Sequence, residues 1–170
     1  RRLLVKLWPN VNVNQDQPGL NRRIHQFKRR AESIKSALLP TPEIIDFGIL
    51  NMGGLFVVSN YEEGETWREF FDRNEVSIET KLVLSLKLVE TMQLFHEKHV
   101  FHGDLHVENI LISNYHKDDI GAVRVRLLDL LDFGNDSNPH NTEYGPINPA
   151  VTDASGRDRY AIFKIIEEVL

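Results

Sequence analysis

The chain has 170 residues, of which 41% are hydrophobic and 26% are charged, and its formal net charge is −5. This composition is typical of a globular protein with one domain or two small lobes, and the acidic balance disfavours a surface built for nucleic acid. Cysteine is absent, which excludes disulfides and thiolate metal sites. No apolar run suits a membrane span or a signal peptide, so we expect a cytoplasmic protein without membrane contact.

The first third of the chain predicts strands around one helix. Apolar runs and helical spacing indicate a strand, a helix and two further strands over 3–8, 21–39, 43–50 and 54–61. Pro9 ends the first of these elements and Pro40 ends the second. The segment "NMGG" predicts a hairpin turn between the last two strands.

The remaining sequence predicts a mainly helical part with a short β insert. Helices are expected within 62–74, over 77–98 and from Asp158 onward, and apolar strand-like segments at 109–112 and 123–131. Asp158 is expected to cap the last helix. Two leucine-rich rows of the long helix predict one broad apolar face: Leu82, Leu86 and Val89, and Leu84, Leu88, Met92 and Phe95.

Three chemically competent side chains, His102, Asp104 and Asn109, lie within eight positions of "HGDLHVENIL". The segment follows a long helix and leads into a strand, so we expect a tight loop. A carboxylate there can accept a hydroxyl proton, and a carboxamide oxygen can bind a hard cation such as Mg²⁺. Standing alone, the segment is more typical of a polar turn with capping residues.

The same segment resembles the catalytic loop of the protein-kinase superfamily, H-x-D-L-x-x-x-N. The resemblance implies that Asp104 is the catalytic base, Asn109 a magnesium ligand and His102 a structural residue. Gly103 stands where the family has an arginine that pairs with a phosphate, and His106 stands where it usually has lysine. This H-G-D-L-H form resembles atypical bacterial kinases and aminoglycoside or choline phosphotransferases as much as ordinary Ser/Thr kinases, and it leaves the substrate open.

A second metal ligand is expected in "LLDLLDFGND". Asp132, followed by Phe133 and Gly134, resembles the D-F-G motif, whose aspartate holds Mg²⁺ at the ATP phosphates. The family's strand pattern, however, comes directly before Asp129. We therefore expect Asp132 as the metal ligand and keep Asp129 as the alternative.

Two residues of the first elements resemble the kinase lysine–glutamate pair. Lys6 in "LLVKLW" resembles the strand lysine that grips the α- and β-phosphates, and Glu32 resembles the glutamate of helix αC. The resemblance implies a Lys6–Glu32 ion pair that orients the lysine toward ATP. Without the resemblance, Lys6 is an edge residue of a strand and Glu32 belongs to a solvated helix face.

The segment "LFVVSNYEEGETW" resembles the strand and hinge that bind adenine in kinases. The resemblance implies that Ser59 guards the adenine pocket and that the backbone of Asn60, Tyr61 and Glu62 binds the adenine edge. "DRYAIFKIIEEVL" resembles helix αF, with Asp158 as the buried aspartate that ties down the catalytic loop. This last likeness favours protein kinases over small-molecule phosphotransferases.

Together these resemblances imply an α+β, two-lobed protein-kinase-like fold. A partial N-lobe is expected over 1–63 and a partial C-lobe over 64–170, with flanking domains in a longer parent chain that carry the glycine-rich loop and the rest of the helical lobe.

The implied function is transfer of the ATP γ-phosphoryl group to a Ser or Thr hydroxyl of a protein substrate, with ATP and Mg²⁺ as cofactors. Two alternatives stay open: a small-molecule phosphotransferase of the aminoglycoside or choline type, and a pseudokinase that acts as a binding or regulatory module. The basic residues of the predicted αC helix indicate a solvated face or a docking surface rather than a nucleic-acid site: Arg22, Arg23, Lys28, Arg29 and Arg30.

Overall fold

The structure, a computed structural model, describes residues 1–9, 18–51, 53–131, 143–146 and 153–170. The chain divides into two compact units. The N-terminal unit comprises Arg1–Glu62 and, among the described residues, Leu131; the C-terminal unit comprises Glu63–Leu130 and the described residues from 143 onward. No helix within these ranges is long and apolar enough to cross a membrane.

The N-terminal unit contains an antiparallel sheet and one long helix. Its elements are β1 (Leu3–Trp8), α1 (Pro18–Ala37), β2 (Ile44–Ile49) and β3 (Leu55–Asn60). The strand order is β1-β3-β2. The predicted hairpin between β2 and β3 is confirmed by a 2.7 Å hydrogen bond from the Leu50 amide to the Gly54 carbonyl. Gly53 has φ 86°, which an L side chain would oppose.

Helix α1 packs through a stripe of apolar residues at helical spacing. Four of its side chains are buried: Ile24, Phe27, Ala31 and Ile34. The Phe27 ring meets Trp8 of β1 edge to face, with 5.4 Å between the ring centroids. The helix begins at Pro18, three residues before the predicted start, because proline is well suited to the first turn of a helix.

The C-terminal unit combines three helices with a small antiparallel sheet of order β4-β5-β6. Its elements are β4 (Glu65–Thr66), α2 (Trp67–Arg73), α3 (Ile78–Glu97), β5 (Ile110–Ser113), β6 (Arg124–Leu127) and α4 (Ala154–Val169). A capping box of Thr66 and Glu69 starts α2, and the Ser77 hydroxyl caps α3. Within the apolar segment 123–131, the strand covers only Arg124–Leu127 and ends before Asp129.

The prediction of one broad apolar face on α3 is also wrong. The row that contains Leu84 and Leu88 is buried, whereas Leu82 and Leu86 of the other row are 52% and 58% exposed. At about 100° per residue the two rows fall on different sides of the helix. The buried side faces β6, where the Thr91 hydroxyl donates to the Val125 carbonyl at 3.4 Å.

Helix α4 starts earlier than the sequence indicated. Its N-cap is Asp153, whose carboxylate accepts a hydrogen bond from the Gly156 amide at 2.6 Å. The prediction of Asp158 as the cap is wrong, since that residue lies inside the helix and is fully buried. Aspartate is a favourable N-cap residue at either position. The burial of Asp158 inside the helix leaves Asp153 as the cap.

The two rows of α3 provide a stability test. We expect Leu88→Ala to lower the free energy of unfolding by about 2–5 kcal/mol, because the side chain is fully buried and its removal leaves a cavity. Leu86→Ala on the exposed row is the control and should change it by about 0.5 kcal/mol or less. Urea unfolding followed by circular dichroism measures both, and equal losses would contradict the assignment of the rows.

Candidate active site

Helix α4 holds the "HGDL" loop through one buried carboxylate. Asp158 Oδ1 accepts the Gly103 amide at 2.7 Å, and Oδ2 accepts the His102 amide at 2.9 Å. His96 of α3 places its Nε2 3.1 Å from the same Oδ2. A fully buried carboxylate is tolerated only when donors surround it, so these contacts fix the backbone of the loop to the helix.

A second residue of α4 holds the other side of the same loop. Arg157 Nε donates to the Gly103 carbonyl at 3.1 Å. Gly103 has φ +82°, a conformation in which any side chain is strained, and a Cβ there would lie 3.5 Å from the Arg157 guanidinium. A glycine that suits the turn thus stands where protein kinases usually have arginine, and an arginine from α4 lies beside it. Nothing in the sequence pairs Arg157 with Gly103, which are 54 positions apart.

The buried His102 links the loop to the segment after β6. Its Nε2 lies 2.8 Å from the Leu128 carbonyl, and its Nδ1 accepts the Asp104 amide at 3.3 Å. Because a carbonyl can only accept, Nε2 carries the proton and the ring is a fixed tautomer. This arrangement fits the structural role that the resemblance implies for His102.

Asp104, the expected catalytic base, is half-buried. Its backbone is held through His102, while its carboxylate takes no hydrogen bond from any residue in the described ranges. A carboxylate that is positioned by its backbone and keeps its oxygens available can accept a proton from a substrate hydroxyl.

Asn109, the expected metal ligand, lies at the end of a short 3-10 turn, Val107–Asn109, just before β5. Its Nδ2 donates to the Asp104 carbonyl at 3.2 Å, and Nδ2 also lies 2.8 Å from His106 Nε2. The carbonyl acceptor fixes which end of the carboxamide is nitrogen. Oδ1 therefore points away, and no described residue donates to it, which suits an oxygen ligand for a hard cation.

Asp129 belongs to the same region of the C-terminal unit. The residue before it, Leu128, donates its amide to the Asn109 carbonyl at 2.8 Å. Asp129 has φ +56°, and the Leu130 that follows is buried. A non-glycine residue in this conformation is uncommon, and such residues cluster at functional sites. Asp132, the other expected metal ligand, lies outside the described residues.

The implied ion pair between Lys6 and Glu32 is not formed. Lys6 is half-buried in β1, and its Nζ donates to the Leu131 carbonyl at 3.3 Å and lies 5.1 Å from the centre of the Trp8 ring. Glu32 is exposed on α1, one residue past the buried Ala31. Because one residue turns the helix by about 100°, burying the Ala31 stripe directs Glu32 toward solvent.

The expected adenine-binding residues follow one another at the end of the N-terminal unit. Ser59 lies in β3, between Leu4 of β1 and Ile44 of β2. The carboxamide of Asn60 bridges Arg1 and Glu43, and the Tyr61 amide donates to the Arg2 carbonyl at 3.1 Å. Their role in binding adenine, like that of Glu62, stays a prediction.

Tyr144, in the segment before α4, is another residue tied to that helix. The side chain is buried, and its hydroxyl donates to Glu168 Oε2 at 2.8 Å. Burial, assisted by this hydrogen bond, raises the pKa of Tyr144 well above its usual range. The hydroxyl stays protonated at neutral pH and anchors the segment to the C-terminal half of α4.

The sequence matches no family model and no curated protein. Among solved structures, the chain is similar to PK-1, a kinase of the Cydia pomonella granulovirus, with a TM-score of 0.67 and 14% sequence identity. The match covers 99% of this chain and 59% of the viral kinase, so the chain spans about three fifths of that protein. The predicted α+β, two-lobed protein-kinase-like fold is thereby confirmed as a partial fold.

The two aspartates of α4 test how the loop is held. We expect Asp158→Asn to lower the free energy of unfolding by about 1.5–3 kcal/mol, because both carboxylate oxygens accept backbone amides and an NH₂ group cannot. Asp153→Asn is the matched control and should cost little, since asparagine caps helices as well as aspartate does. Chemical unfolding measures both variants, and an equal cost would contradict the role of Asp158.

Proposed function

We propose that this chain is part of an ATP-dependent protein kinase that transfers the γ-phosphoryl group to a Ser or Thr hydroxyl of a protein. The observation that carries the proposal is the buried Asp158 carboxylate, which holds the backbone of the loop that bears Asp104 and Asn109. The protein-kinase-like fold supports it. The backbone of this loop is fixed, while the side-chain oxygens of Asp104 and Asn109 remain available. Phosphoryl transfer requires such an arrangement, since positioning and electrostatics supply most of its catalysis.

Each residue has a separate task in the proposed reaction. Asp104 accepts the proton of the attacking hydroxyl, and Lys6 orients the phosphates. Asn109 Oδ1 and an aspartate after β6 hold the metal ion. When bound, Mg²⁺ would offset the negative charge of the phosphates. The backbone of Asn60–Glu62 binds the adenine edge.

We infer that Asp129, rather than Asp132, is the aspartate that holds the metal. The hydrogen bond from the Leu128 amide to the Asn109 carbonyl keeps the backbone before Asp129 beside the other ligand. The left-handed φ of Asp129 and the buried Leu130 support a built turn, in which Leu130 takes the place of the family's phenylalanine. The intact D-F-G triplet at 132–134 is the argument for Asp132.

Removal of the proposed base tests the reaction. In the intact protein we expect Asp104→Ala to lower transfer of label from ATP to protein by about 10²–10⁴-fold, the usual contribution of a general base, with ATP binding retained. Asp118→Ala is the control, because Asp118 is an exposed aspartate of the β5–β6 connection. Label transfer with Mg²⁺ and a generic protein substrate, together with nucleotide binding, measures both.

The same assay separates the alternatives. Histidine instead of lysine at position 106 favours a small-molecule phosphotransferase. Label that appears only on small hydroxyl compounds, offered as a panel, would support that function instead. The exposed Glu32 favours a pseudokinase, and ATP binding without transfer to any acceptor would support a binding module. Equal transfer by the wild type and Asp104→Ala would contradict the proposed mechanism.

The choice of metal ligand is tested by two substitutions of the same kind. We expect Asp129→Asn to lower transfer by about 10²-fold or more, as for loss of a charged group at the reacting centre, and Asp132→Asn to retain most of it. Titration of activity with Mg²⁺ distinguishes weakened metal binding from a slower reaction. A large loss in Asp132→Asn alone would assign the ligand to Asp132.

A further inference from the structure

His106 can accept a hydrogen bond at a position of the proposed catalytic loop where the kinase family usually has a donor. The family usually has lysine there, and a lysine ammonium can only donate hydrogen bonds. His106 Nε2 lies 2.8 Å from Asn109 Nδ2, which also can only donate. The imidazole nitrogen must therefore be the acceptor, and the neutral ring carries its proton on Nδ1.

The two acceptors beside Asn109 match the two hydrogens of its amide. The Asp104 carbonyl lies 3.2 Å from Nδ2, and His106 Nε2 lies at 2.8 Å. The oxygen and nitrogen of a carboxamide are nearly equal in size, so its orientation depends on such partners. With both hydrogens taken on this side, Oδ1 is presented on the other side, where no described residue donates to it.

The cost of this arrangement falls on the other ring nitrogen. His106 Nδ1 is buried and has no hydrogen-bond partner among the described residues. Buried polar atoms usually have a hydrogen-bond partner, so a buried nitrogen without one needs an explanation. The explanation is that the ring is oriented by the contact between Nε2 and Asn109 Nδ2.

We propose that His106 is a positioning residue that fixes the Asn109 carboxamide so that Oδ1 faces a divalent metal ion. The inference rests on the proposed function, in which Asn109 is a metal ligand. Residues that orient the ligands of a metal typically change its affinity when they are replaced. A lysine at this position has donors only and cannot accept from Nδ2, whereas His106 Nε2 can.

The test measures Mn²⁺ binding to the intact protein by electron paramagnetic resonance, with a non-hydrolysable ATP analogue present. We expect His106→Leu to weaken Mn²⁺ binding by about 10-fold, because the carboxamide loses the acceptor that orients it. His106→Gln should bind like the wild type, since its Oε1 reaches the place of Nε2. Circular dichroism should show that His106→Leu is folded, because the loss of the acceptor for Asn109 Nδ2 is offset in part by removal of the unpartnered Nδ1.

A double variant tests whether His106 acts on Mn²⁺ binding through Asn109. In Asn109→Ala, adding His106→Leu should weaken Mn²⁺ binding no further, and additional weakening would overturn the inference. Wild-type affinity in His106→Leu, or reduced affinity in a normally folded His106→Gln, would also overturn it. Absence of Mn²⁺ binding by the wild type would instead overturn the proposed function, and the role of His106 with it.

Discussion

The C-terminal unit depends on one buried carboxylate. Asp158 is fully enclosed, and a charge in that position is tolerated only if donors surround it. Two of those donors are consecutive amides of the "HGDL" loop, so the buried charge couples the helix to the backbone of the loop. Two more hydrogen bonds act in the same way: Arg157 binds the Gly103 carbonyl of this loop, and Tyr144 ties the segment before α4 to Glu168.

A continuous series of hydrogen bonds runs from this carboxylate to the proposed metal ligands. Asp158 holds the His102 amide, the His102 ring donates to the Leu128 carbonyl, and the Leu128 amide donates to the Asn109 carbonyl. The series uses backbone groups and the imidazole, and it includes neither the carboxylate oxygens of Asp104 nor Asn109 Oδ1. A rigid backbone with available side-chain oxygens is what we expect of a preorganised site.

Local patterns in the sequence predicted local structure well. The strand at Leu3–Trp8, the hairpin and the three long helices follow from periodicity, proline and glycine, which act within a few residues. The motif around Asp104 and the buried position of Asp158 followed from resemblance to a known family. The exposed row of α3 was misjudged although the angle between its residues separates it from the buried row. Two other failures concern partners far apart in the chain: the contact of Arg157 with Gly103 and the absent Lys6–Glu32 pair. Such pairings are set by packing between elements, which no local pattern records.

Different forces set the two parts of the proposed machinery. Around Asp158, the burial of charge makes each hydrogen bond costly to lose, so the "HGDL" loop is held firmly. Glu32 is exposed on α1, and an ion pair from such a position contributes about 0–1 kcal/mol, too little to override the packing of the apolar stripe. The stripe therefore decides which way α1 faces, and Lys6 takes the Leu131 carbonyl instead. In kinases the lysine–glutamate pair must be in place for phosphoryl transfer. The loop is thus fixed by the burial of charge, whereas the side that α1 presents is fixed by the burial of apolar side chains.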